Sequence, residues 1–211
     1  GRYSDAYMIN WKSNVFPGIL GRTCDRPCEP ACRRTRVEDE TVVGARKEPV
    51  AICRLKRVAA DFKDDVSGLM PRAPEVSNGR KIACIGAGPA SLTVARDLAV
   101  MGYEVTLFDQ NPQLGGMIRT QIPHFRLPVS VIDEEMDYIT SVGNIAFKQR
   151  EVDSLKAVLA EDWDAIFVGT GAPRGRDLAI PGRDAAAANI HIGIDWLSSV
   201  SFGHVDTVGK K

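Results

Sequence analysis

Three cysteines crowd into nine residues near the start of the chain: Cys24-Asp25-Arg26-Pro27-Cys28-Glu29-Pro30-Ala31-Cys32. A fourth, Cys53, stands in the next apolar stretch. Clustered thiols of this kind point to metal or cluster ligation before disulfides, and four thiolates suit tetrahedral zinc or a [4Fe–4S] cluster. Free thiols are the third reading. Arg22, Arg26, Arg33 and Arg34 surround the cysteines and can offset the charge of a thiolate-ligated cluster, which favours iron–sulfur. The fifth cysteine, Cys84, falls inside an apolar run and reads as a small core residue.

The second chemistry-bearing stretch is Lys81–Gln110, KIACIGAGPASLTVARDLAVMGYEVTLFDQ. An apolar run, Ile82 to Ile85, leads into Gly86-Ala87-Gly88-Pro89-Ala90-Ser91. An amphipathic stretch (Leu92, Ala95, Leu98, Ala99) follows, and a second run (Val105 to Phe108) ends on Asp109. Strand, glycine turn, helix, strand and carboxylate in this order form the context that a dinucleotide fingerprint requires. Gly86 permits the tight turn, and Gly88 lets the backbone approach a pyrophosphate at the positive end of the helix. Asp109 is placed to accept a ribose hydroxyl. Ser91 replaces the last glycine of the pattern and is small enough for helix–strand packing.

These two stretches need elements to hold them. Residues 2–12 read as helix, and the Pro-, Gly- and Cys-rich segment Asn14–Pro30 as an irregular loop, because Pro27 and Pro30 forbid a helix through the cysteines. Pro49–Lys63 has helical periodicity, with Val50, Cys53, Val58 and Phe62 as its inner side. Residues 68–80 read as a linker. Ser130–Val142 reads as a helix, and Asp164–Val168 as a strand running into Gly169-Thr170-Gly171. The predicted fold is α/β: a helical cysteine-bearing domain over 1–67, then a Rossmann-like nucleotide-binding domain over 81–211.

Lys+Arg and Asp+Glu both number 27, so no cationic footprint for nucleic acid exists at the level of the whole chain. No apolar run of about 18 residues is present, so the expectation is a cytoplasmic protein without a membrane span. The chain opens on Gly1 rather than Met, which predicts a fragment or processed product. His191 and His204 lack partner spacing. No acid/base dyad or nucleophile is visible, and no catalytic side chain is assigned.

Taken together, Gly21-Arg22-Thr23-Cys24 with Cys28 and Cys32, Gly86–Ser91, Gly115-Gly116, Ile122–Pro128 (IPHFRLP) and Gly169–Ala172 resemble one family. It is the flavin-bearing, iron–sulfur NAD(P)H oxidoreductases, similar to the small (β) subunit of glutamate synthase and the N-terminal half of dihydropyrimidine dehydrogenase. The resemblance implies an FAD site. Gly86, Ala87, Gly88, Pro89 and Ala90 would cradle the pyrophosphate, and Asp109 would hold the adenosine ribose. Met117 to Arg126 would line the flavin side, with Arg126 reaching a phosphate or the flavin and His124 nearby. Val152 would meet the adenine through its backbone, and Gly169, Thr170 and Gly171 would close over the cofactor. It also implies a [4Fe–4S] cluster. Leu20 stands where the family often has a cysteine, and Lys56 lies near the helical position of an unusual family ligand, so Cys53, one turn earlier, is expected to complete the set.

In the family an upstream cysteine-rich segment holds a second cluster. An NAD(P)H-binding domain follows a junction like Gly209-Lys210-Lys211, after which the flavin domain resumes. The expected function is therefore an iron–sulfur flavoprotein module relaying electrons between NAD(P)H, FAD, the cluster and a partner subunit or domain. The rival expectation is a non-enzymatic docking module, stabilised by zinc, with a vestigial nucleotide fold.

Overall fold

The structure is a computed structural model that describes residues 1–38, 40–42, 44–205 and 207–208. The Gly209-Lys210-Lys211 junction lies outside the described residues. The chain divides into two units, Gly1–Leu69 and Met70–Lys211.

The first unit is helical: α1 (Tyr3–Ser13), α2 (Pro17–Thr23) and α3 (Ile52–Phe62) pack around Tyr7, Trp11, Phe16, Ile19 and Val66. The segment expected to be loop throughout therefore begins with a helix. Pro17 opens α2 at a first-turn position, where its fixed φ suits the helix and its missing N–H is no loss. The irregular stretch starts only at Cys24, ahead of Pro27 and Pro30. Gly21 explains how tightly α2 and α3 pack: a Cβ there would sit 2.7 Å from the Arg57 backbone nitrogen.

The inner face of α3 matches expectation at Cys53 and differs elsewhere. Cys53, Lys56, Ala59 and Ala60 are buried, whereas Val50, Val58 and Phe62 are exposed. Close approach to the glycine-bearing α2 selects small side chains, and a stripe at spacings of three and four residues follows Cys53 through Lys56 to Ala60. The buried Lys56 ammonium donates to Asn14 Oδ1 at 3.3 Å.

In the second unit the order is β1 (Lys81–Ile85), α4 (Pro89–Ala99), β2 (Glu104–Asp109), α5 (Met117–Thr120), α6 (Val129–Thr140), β3 (Ile145–Gln149), α7 (Leu155–Leu159), β4 (Ala165–Val168) and α8 (Gly193–Ser201). The strands form one parallel sheet in the order β3-β2-β1-β4. Ile82 to Ile85 of β1 are all buried, as a central parallel strand covered on both faces requires. Ala83, Ile85, Phe108 and Val158 form one core cluster, with Val152, Trp163 and Ile166 packed against it. The chain first builds outward from β1 to β2 and β3, then crosses back to place β4 on the other side of β1. Such a reversal opens a crevice at the carboxyl ends of the strands, where open α/β sheets bind ligands.

Candidate functional site

The crevice is present as a cleft of about 620 Å³. Its floor is the turn that follows β1. Gly86 has φ +93° and donates its N–H to the Phe108 carbonyl at 2.7 Å. A Cβ on Gly86 would stand 2.5 Å from the Gly169 carbonyl oxygen, so the turn closes backbone to backbone against the end of β4. Gly88 caps α4 and Pro89 opens it, which points the free N–H groups and positive end of an 11-residue helix toward the cleft. From the facing loop Gly116, at φ +51°, comes so near that a Cβ would lie 2.7 Å from Gly88 Cα.

Asp109 does more than face the cleft. One carboxylate oxygen accepts the Ala87 N–H at 2.8 Å, and the other accepts both the backbone N–H and the side-chain amide of Asn111 at 2.9 and 3.0 Å. The Ala87 carbonyl in turn accepts the Gly115 N–H at 2.9 Å. Asp109 thus braces the glycine turn, and its oxygens keep lone pairs for a ligand hydroxyl.

Of the residues expected at the site, Gly86, Gly88, Pro89, Ala90, Asp109, Gly116, Met117, Val152, Gly169, Thr170 and Gly171 line the cleft. Ala87 and Ser91 are buried behind it, and Gly115 lies behind Gly116 in the turn. Among the described residues Ser91 Oγ has no hydrogen-bond partner, and it fills the space that a Cβ on Gly169 would need. Arg126 is placed elsewhere. Leu127 is the buried anchor of IPHFRLP, and the Pro123–Arg126 turn leaves His124, Phe125 and Arg126 at the surface, outside the cleft lining. Thr120 and Gln121, within the expected Met117–Arg126 stretch, also line the cleft, whereas Gln110, Asn111, Arg150 and Glu151 line it without having been singled out from sequence. Only Asn111 carried a signal, as the residue two beyond the strand-ending carboxylate.

The cysteines share the first unit. Cys24 Sγ accepts the Arg26 N–H at 3.4 Å. Backbone N–H groups of Val50, Arg34 and Thr35 and the Arg34 charge hold the Cys32 thiol below its ordinary pKa. Cys28 is exposed. Cys53 Sγ faces the carbonyl oxygens of Leu20, Gly21 and Cys24 at 3.6, 3.4 and 3.9 Å, and burial, then Cys24, push its thiol up. Among the described residues, no three His, Cys, Asp or Glu side chains stand together as metal ligands. The donor chemistry still fits a thiolate-ligated group. Two sulfurs, those of Cys24 and Cys32, already accept N–H bonds, and at Cys53 a bound cation must displace the thiol proton against the upward push of burial. Cys84 is fully buried in β1, and burial pushes its thiol up to about 11, as suits a core residue.

Residues 84–148 match the family described as NAD(P)-binding Rossmann-like domain. Three relatives cover nearly all of the chain. The NADP(+)-dependent formate dehydrogenase subunit beta of Moorella thermoacetica is 31% identical, covering 100% of the chain and 32% of the relative. The glutamate synthase [NADPH] small chain of Mycobacterium tuberculosis is 33% identical, covering 93% and 38%. The NADPH-Fe(3+) oxidoreductase subunit beta of Geobacter sulfurreducens is 33% identical, covering 100% and 31%. The chain thus spans about a third of the length of these relatives. No helix among the described residues is long and apolar enough to cross a membrane.

Proposed function

We propose, from the premise that this chain is a homologue of glutamate synthase small chains and related NADPH oxidoreductase beta subunits, that it is the iron–sulfur and FAD-binding module of an NAD(P)H-dependent oxidoreductase. The observation that carries the reading is the cleft itself, a glycine turn, a helix N-terminus and a strand-ending carboxylate converging at the switch point of a parallel sheet. In this reading the N–H groups of Gly88 and Ala90 and the α4 dipole receive the pyrophosphate. Asp109 accepts the ribose hydroxyls while it holds Ala87 in place. Val152 borders the adenine, and Met117 and Gly169 to Gly171 border the flavin. FAD, when bound, accepts a hydride and releases electrons singly. The protein's part is to bind, orient and shield it.

Cys24, Cys28, Cys32 and Cys53 would hold the [4Fe–4S] cluster. The N–H groups at Cys24 and Cys32, and Arg34 beside Cys32, are what such an anionic group requires. A partner subunit or domain would take the electrons onward. The test is anaerobic purification of the 211-residue chain, iron and sulfide analysis, and titration with FAD. Four irons per chain with broad absorption near 400 nm, and tighter binding of FAD than of NADPH, are expected. A colourless zinc protein, or a cleft that takes NADPH and refuses FAD, refutes the proposal.

A further inference from the structure

One end of the cleft is built by residues that carry no recognisable motif. Arg150 directly follows β3 and lines the cleft beside Phe108 and Asp109. Its N–H donates to the Asp109 carbonyl at 2.8 Å, which fixes it next to the end of β2. Its guanidinium lies over the Phe108 ring, Cζ 5.1 Å from the ring centre. Both Nη groups donate to Glu161, at 3.1 and 2.5 Å. Glu161 also accepts the Trp163 indole N–H at 3.0 Å, and Trp163 meets Phe108 edge-on at 5.7 Å. A group that long side chains normally leave loose is here pinned at both Nη atoms and on one face. The side chain is nonetheless 38% exposed.

What remains available on this guanidinium is a flat, cationic face, the surface on which an aromatic base stacks. Its place in the sheet fits a base. The phosphate turn follows β1, the ribose carboxylate ends β2, and Arg150 follows β3, the neighbouring strands being about 4.8 Å apart. Phosphate, ribose and base follow one another in that order along a nucleotide. A ribose 2′-phosphate is a poorer match, because Glu161 neutralises Arg150 and the Asp109 carboxylate stands beside it.

We propose that Arg150 is the base-recognising residue of this cleft, its Phe108-backed guanidinium stacking on the adenine of the bound dinucleotide. The proposal rests on the reading of the cleft as an adenine-dinucleotide site. It is tested on the full 211-residue chain with ADP and with adenosine 2′,5′-bisphosphate as probes, by calorimetry at low and high salt. Arg150→Ala is expected to weaken ADP about 5- to 20-fold, the scale of a lost base stack, and by the same factor at both salt concentrations. Arg150→Lys keeps the charge without the plane and is expected to retain most of the loss. A loss that vanishes at high salt or in Arg150→Lys overturns the assignment in favour of simple charge. Tighter binding of the 2′,5′-bisphosphate that disappears in Arg150→Ala overturns it in favour of a phosphate contact. A wild-type chain that binds neither probe brings down the reading of the cleft and this proposal with it. Wild-type binding with unchanged variants brings down this proposal alone.

Discussion

The closeness of α4 to β4 can be tested with one methyl group. Gly169 has no unusual backbone conformation, so alanine there meets only a packing obstacle. The added Cβ would lie 2.4 Å from Ser91 Oγ and 2.8 Å from Phe167 Cε1, where ordinary contact begins near 3.4 Å. Ser91 is fully buried on α4, so its hydroxyl has no solvent to retreat into. The first turn of α4 must therefore move off the sheet by most of an ångström, or Ser91 and Phe167 must leave their rotamers. Overpacking of this kind costs about 1–3 kcal/mol. For a unit of this size that corresponds to a loss of roughly 3–12 °C in melting temperature. Ser91→Gly removes the nearer obstacle. The double variant Ser91→Gly with Gly169→Ala should then recover about half the loss, the remainder belonging to Phe167 and to glycine in a helix. Thermal melts of the four proteins by circular dichroism supply the cycle. Strict additivity of the two single effects, or a Gly169→Ala melt unchanged from wild type, would refute the argument.

Three further outcomes follow from particular contacts. Asp109→Ala should weaken FAD by about 1.5–3 kcal/mol and also lower the melting temperature without ligand, because the Ala87 N–H loses its acceptor. A variant that loses FAD while melting like wild type would show that the carboxylate does not brace the turn. In the iron–sulfur reading, Cys53→Ala should lose the cluster or leave a three-iron form, whereas Cys84→Ala should keep its iron. Four irons per chain in the Cys53 variant would exclude that ligand. Burial raises the Cys84 thiol from 9.0 to about 11, so the folded state holds the proton that the unfolded state releases. Its contribution is thus complete below about pH 9 and fades as pH rises toward about 11. The stability difference between wild type and Cys84→Ala should narrow over that window, and a constant difference from pH 8 to 11 would count against it.

How much of this was legible in the sequence depended on how local the determining contacts were. The run from Ile82 through the glycines to Asp109 could be read directly, since each residue's role is set by its neighbours in the chain. Helix α3 was placed, and Cys53 was put on its inner side as found, but the rest of that side was turned the wrong way. Its interior is chosen by how near α2 can approach, which favours Ala59 and Ala60 over the larger Val58 and Phe62. Helix α2 was missed because the prolines after Cys24 were allowed to speak for the whole segment. Strand β3 went unread as well: five residues ending in Lys148-Gln149, half exposed at the sheet edge, carry little pattern. With β3 unread, Arg150 could not be placed beside Asp109. The brace at Asp109 and the exposure of Arg126 depend on contacts between distant parts of the chain, and no local spacing announces either.

The lip of the cleft has a consequence for whatever the chain carries beyond it. Ala172 and Pro173 border the cleft, and the backbone then runs fully exposed through Arg174 and Arg176 to Ile180. The polypeptide therefore leaves the sheet across the mouth of its own binding site, as a strap leaves a buckle. Anything held in the cleft becomes a surface against which that strap can settle, and an empty cleft offers none. Occupancy should accordingly be written into the chain's susceptibility to trypsin at Arg174 and Arg176, and into the path along which the following polypeptide is handed on.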